Sequence, residues 1–151
     1  MPTTNEKTVS ILNNLIQTCL DGEEGFRTAA EAVENGRLRL LFTEFSQQRA
    51  QLAAELQQEV HRLGDVPESS GSMSAAMHRG WMNLKSVVAG NDEAAIVAEC
   101  ERGEDSAVEQ YQEALQENLP AEVRQVVNRQ FAAVKAVHDR VRDEERAHQR
   151  A

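Results

Sequence analysis

The sequence predicts an all-α domain, a bundle of four long helices, on three observations. Apolar residues recur at three- and four-residue steps along four long stretches. Proline and glycine are scarce, at 3 and 8 of 151 residues, which leaves few turns for a β protein. Ala, Gln, Glu, Leu and Arg dominate the rest. At this length one core is buried and residues 1–151 form a single domain.

The first helix is expected over about residues 4–34. Val9, Leu12, Ile16, Cys19, Phe26, Ala30 and Val33 line one seam, and Glu23 stands in the same seam. Asn35 and Gly36 supply its stop. The second helix, about 37–63, carries Leu38, Leu41, Phe42, Phe45, Leu52, Leu56, Val60 and Leu63, and ends at Gly64 and Asp65. Between Phe45 and Leu52 its inward positions fall to Gln48 and Arg49.

The stretch "DVPESSGSMSAAMHRGWMNLKSVVAGND" opens as loop, but Met73, Met77, Trp81, Leu84 and Val88 recur at helical spacing, so a crossover helix is expected over about 72–89. Its "HRGW" run holds the sole tryptophan and reads as a staple to the bundle; the minority reading makes His78, Arg79 and Trp81 a partner surface. The third helix, about 92–117, lines up Val97, Cys100, Glu104, Ala107, Tyr111 and Ala114. The fourth, about 120–147, starts at Pro120 and carries Val123, Val127, Phe131, Val134, His138 and Val141. Short turns at 35–37 and 117–120 make two hairpins, and a long crossover between two hairpins is the ferritin-like bundle topology.

The formal charge of −9 argues against nucleic acid and anionic membrane surfaces as partners. No apolar run reaches the roughly 20 residues of a membrane span. The opening "MPTTNEKTVS" lacks the layout of a secretory signal, and two cysteines make no disulfide framework, so a cytoplasmic location is expected.

One pattern occurs twice: Cys19, Gly22, Glu23 and Cys100, Gly103, Glu104. In ferritin-like carboxylate proteins each hairpin contributes a lone Glu and a Glu-x-x-His to a two-metal centre. Glu23 and Glu104 stand where the lone glutamates would. The partner motifs depart from the pattern, because Arg49 to Leu52 reads Arg-x-x-Leu and Lys135 to His138 reads Lys-x-x-His. Cations at both missing carboxylates repel metal and neutralise buried acids. The favoured expectation is therefore a degenerate di-iron site in which Arg49 and Lys135 form internal salt bridges with Glu23 and Glu104, with no cofactor. The alternative keeps iron or manganese on Glu23, Glu104 and His138, completed by water or Gln48.

Around this centre, a two-fold relation would set Cys19 and Cys100 about 12 Å apart, beyond disulfide reach, as small buried residues. Gly22 and Gly103 imply close packing, and Tyr111 implies a core hydroxyl with a bonded partner. His61 and His148 read as surface residues, and "DRVRDEERAHQRA" as a solvated, fraying helix end.

Through "SQQRAQLAAELQQEV", "HRGWMNLK" and above all "ECERGEDSAVEQYQEAL", the chain from about Glu6 to Arg142 resembles a proteobacterial family of ferritin-like four-helix-bundle proteins of unknown function. The resemblance implies fold and cellular class and brings no established activity. Three functions are in view. The first is a non-catalytic, stress-associated structural or partner-binding protein whose buried polar site fixes helix register. The second is a metal-handling protein or oxidoreductase on a reduced site. The third is a pH sensor built on His138 and the buried acids. An unidentified protein partner is open to the first, and a homodimer is suggested by analogy with such bundles.

Overall fold

The computed structural model describes residues 4–67 and 80–150. Helix α1 spans Thr4–Ala32, α2 Gly36–Arg62, a short α3 Leu84–Ala89, α4 Glu93–Leu115 and α5 Ala121–Arg150. Helix α1 packs along α2 and α4 along α5, while α1 also meets α4 and α3 rests on both. The architecture is the all-α, ferritin-like bundle of two hairpins joined by a long crossover. Among the described residues, no helix is long and apolar enough to cross a membrane.

Local chemistry explains the helix ends. Asn35 starts α2 instead of stopping α1: its ψ of 115° makes it extended, and its side-chain oxygen accepts from the backbone N–H groups of Arg37 and Leu38. Asp92 caps α4 by accepting from Ala94 N–H. Gly64, at φ 83°, takes the left-handed conformation that ends α2. Arg124 of α5 donates to the carbonyls of Leu115 and Glu117, closing the second hairpin turn.

The seams expected on α1 and α4 are buried, except that Glu23 is only half-buried. Both helices bury a second stripe: Leu15, Thr18 and Asp21 on α1, and Glu99, Gly103 and Gln110 on α4. On α5 the buried positions are Val123, Val127, Gln130, Val134, Val137, Val141 and Glu144, a regular four-three alternation. Phe131 and His138 lie one position round the helix from this stripe and are half-buried. Both paths suit a 3.6-residue period and share Val123, Val127, Val134 and Val141.

The crossover expectation over 72–89 falls partly outside the described residues, with Met73, Met77, His78 and Arg79. In its described part, Gly80 and Trp81 are helical, a turn intervenes at Met82 and Asn83, and α3 follows. The break lies where the Asn83 backbone N–H donates to buried Glu99 of α4 at 2.8 Å.

The core has two apolar halves. One gathers Leu12, Ile16, Cys19, Leu52, Leu56, Tyr111 and Val127. The other gathers Phe26, Phe42, Phe45, Trp81, Val97, Cys100 and Val141. On every long helix the changeover falls near mid-length, between residues 19 and 26, 45 and 52, 100 and 107, and 134 and 137. Polar residues occupy that layer.

Candidate functional site: a buried polar layer

Arg49 reaches the layer because its position on α2 lies one turn from Phe45 and from Leu52, both of which face inward. Its Nη2 donates to both carboxylate oxygens of Glu104 on α4, at 2.6 and 2.7 Å. The side chains are 1% and 0% exposed. One amino group spans the carboxylate, in place of a two-pronged fork. The guanidinium carbon also stands 5.6 Å from the centre of the Phe26 ring, giving the cation an aromatic face. Arg49 Nε is buried without a hydrogen-bond partner among the described residues. Burial pushes the Glu104 carboxyl above its usual range, and the charge and hydrogen bond of Arg49 pull against that rise.

Beside the ion pair runs a chain of hydrogen bonds that touches all four long helices. Tyr111 of α4 donates its hydroxyl to Gln130 Oε1 of α5 at 2.7 Å. With that proton committed, the Cys19 thiol of α1 donates to Tyr111 Oη at 3.1 Å. Gln130 Nε2 donates to Glu55 Oε1 of α2 at 2.6 Å and to the Leu52 carbonyl at 3.2 Å. Arg129 closes the chain on Glu55 at the surface. Both cysteines are free and buried. Burial pushes the Cys19 thiol up to about 11 and Cys100 well above its ordinary value, so neither is a thiolate at neutral pH.

The doubled glycines make room for large side chains. A Cβ on Gly103 would stand 2.2 Å from Trp81 Cε2, and one on Gly25 would stand 2.6 Å from the same ring. A Cβ on Gly22 would approach Arg49 Nη1 to 3.0 Å. Trp81 thus fills a slot between α1 and α4, edge-on to Phe26 at 5.2 Å between ring centres. It is buried there, at 5% exposed, while His78 and Arg79 of the partner surface lie outside the described residues. In "ECERGED", Glu99 takes the Asn83 N–H and the Arg102 guanidinium, Gly103 admits the indole, and Glu104 takes Arg49.

Other expected residues lie elsewhere. Glu23 contributes its backbone carbonyl to the Ser46 hydroxyl at 2.7 Å, and Arg49 pairs with Glu104 instead of bridging both acids. Lys135, on the flank of α5 beside the Val134 stripe, pairs with Asp139 at 2.7 Å on the surface, not with a buried glutamate. Gln48 is half-buried, with a buried Oε1 that lacks a hydrogen-bond partner among the described residues. His138 bonds Asp105 of α4 and Asp139 of its own helix. Glu23, Glu104 and His138 are therefore not gathered into one donor set. Among the described residues, no group of three or more His, Cys, Asp or Glu side chains is placed to hold a metal ion. With a guanidinium on both oxygens of fully buried Glu104, the centre does not fit the two-metal group of ferritin-like carboxylate proteins.

Sequence reasoning missed Gln130 and Glu99. The four-three stripe on α5 passes through Gln130, but the adjacent Phe131 drew the seam away from it. Glu99 shows no signal apart from its spacing of four from Gly103. His148, expected on the surface, is half-buried and bonds Glu93 at 2.7 Å. The supposedly fraying tail docks through Val141 and Glu144, the latter held by Arg37 at 2.5 and 3.0 Å.

No curated protein matches the chain. Among solved structures, a mutant of Dps1 from Mycobacterium smegmatis superposes with a TM-score of 0.75 at 10% identity, over 94% of this chain and 97% of that chain. At that identity the likeness concerns the fold alone. Residues 7–117 match the family described as "Domain of unknown function (DUF2383)". That span includes both copies of the Cys-Gly-Glu repeat, Arg49 and Trp81, and the chain belongs to this family.

Proposed function

We propose that this protein is a non-catalytic ferritin-like bundle, a structural or partner-binding protein in which a salt bridge stands where a two-metal centre would lie. The observation that carries the reading is the Arg49–Glu104 pair, buried at mid-length between the two apolar halves. A carboxylate with both oxygens on one guanidinium has lost its strongest means of attracting a cation, and the fixed positive charge repels a second. The hydrogen-bond chain through Cys19, Tyr111, Gln130 and Glu55 adds a link from each hairpin to the other, as expected of a device that sets helix register. The bacterial, cytoplasmic and stress-associated setting belongs to the same proposal, and transcript profiling under stress tests it.

Metal analysis tests the central claim. Protein expressed with added iron and manganese, and purified without chelators, is expected to hold both well below one ion per chain. Stoichiometric iron or manganese overturns the reading and turns attention to metal handling.

A further inference from the structure

Two histidines of α5 each bind a carboxylate of α4 across the second hairpin. His138 Nε2 lies 2.7 Å from Asp105 Oδ1, and its Nδ1 lies 3.1 Å from Asp139 Oδ1. Ten residues on, His148 Nε2 lies 2.7 Å from Glu93 Oε2, and its Nδ1 lies 2.7 Å from the Glu144 carbonyl oxygen. All four ring nitrogens face atoms that only accept. A neutral imidazole has one N–H and one lone pair, so in each ring it would set a lone pair against an oxygen; the imidazolium satisfies both contacts.

We propose that the α4–α5 hairpin carries a pH-responsive clamp at His148, closed while that ring is imidazolium and loosened when it becomes neutral. The charged surroundings of the ring support this. His148 meets Glu93 on α4 and Glu144 on its own helix, and Glu144 is in turn held by Arg37 of α2 and approached by Arg140. The Glu144 carbonyl and the Glu93 carboxylate raise the His148 pKa above 6.5. A raised value in the folded chain means that the stabilisation is complete below the unfolded value and is lost as pH rises through the folded one. Loosening acts first on the second half of α5, which covers Val137 and Val141. The α1–α2 hairpin lacks such a clasp among the described residues, its only histidine, His61, being exposed.

Two measurements test the clamp. In nitrogen-15 imidazole spectra of the wild-type chain at pH 6, both nitrogens of His148 are expected to carry protons; a neutral tautomer there overturns the proposal. Amide exchange, corrected for its intrinsic base catalysis, is then compared at pH 6 and 8.5 in wild type and in the His148→Gln variant. In wild type the opening of residues 141–149 is expected to rise with pH relative to α1 and α2. In the His148→Gln variant it should stay level. An equal pH response in the two proteins refutes the clamp.

Discussion

Arg49 and Glu104 form a pair whose worth depends on both members. Each charge loses its hydration on burial, so removing one strands the other. Arg49→Met is expected to cost about 3–5 kcal/mol in urea denaturation. Adding Glu104→Met should recover most of that loss, because two apolar side chains leave neither member of the pair stranded; a double variant as unstable as the sum of its single changes would show that the pair is not the unit. The pair was half legible beforehand. Arg49 could be found because a cation interrupts a run of inward apolar positions between Phe45 and Leu52. Its choice of Glu104 over Glu23 was not legible, since the two acids occupy equivalent places in the repeat. Only the packed helices set Glu104 fully inside and leave Glu23 half-buried.

At the scale of elements, the crossover is held to the bundle by a shape fit. Gly103 and Gly25 leave the width of an indole between α1 and α4, and Trp81 occupies it. Gly103→Ala gains about 1 kcal/mol of helix propensity. The new Cβ, 2.2 Å from the ring, forces the indole to move, and overpacking of this kind costs about 1–3 kcal/mol. A net loss of stability is expected, with a red shift in emission as the sole tryptophan leaves the core. Gly36→Ala, with nothing within 4 Å of its added Cβ, serves as the neutral comparison. The "HRGW" staple could be anticipated from a tryptophan beside a glycine at helical spacing. The slot itself could not, because its walls come from helices far apart in sequence.

For the whole molecule, the end of α5 is fastened by charge. Glu144 spans α5 and α2 through Arg37, whose hydrogen bond and charge hold its carboxyl below the usual 4.5. A lowered value gives stability that is complete above pH 4.5 and is lost as pH falls through the folded value. Glu144→Gln is expected to cost about 0.5–1 kcal/mol at pH 7, since Arg37 is largely exposed. The cost should shrink in acid, so wild type and variant converge below the Glu144 pKa; a constant difference down to pH 2 would assign the effect to packing. The tail had read as solvated because charges alternate along it. Their pairing depends on which helix ends the fold brings together.

The sequence by itself determined the helices, their order, the two hairpins and the mid-length polar interruption. These rest on periodicity and local capping, which a short window of residues carries. Tertiary structure alone decided which acid the arginine takes, that Lys135 and His138 stay at the flank, and that Gln130 joins the core. A step of one residue turns a side chain by about 100° around a helix. Several seams then suit the same apolar pattern, and contact with the neighbouring helices selects one of them.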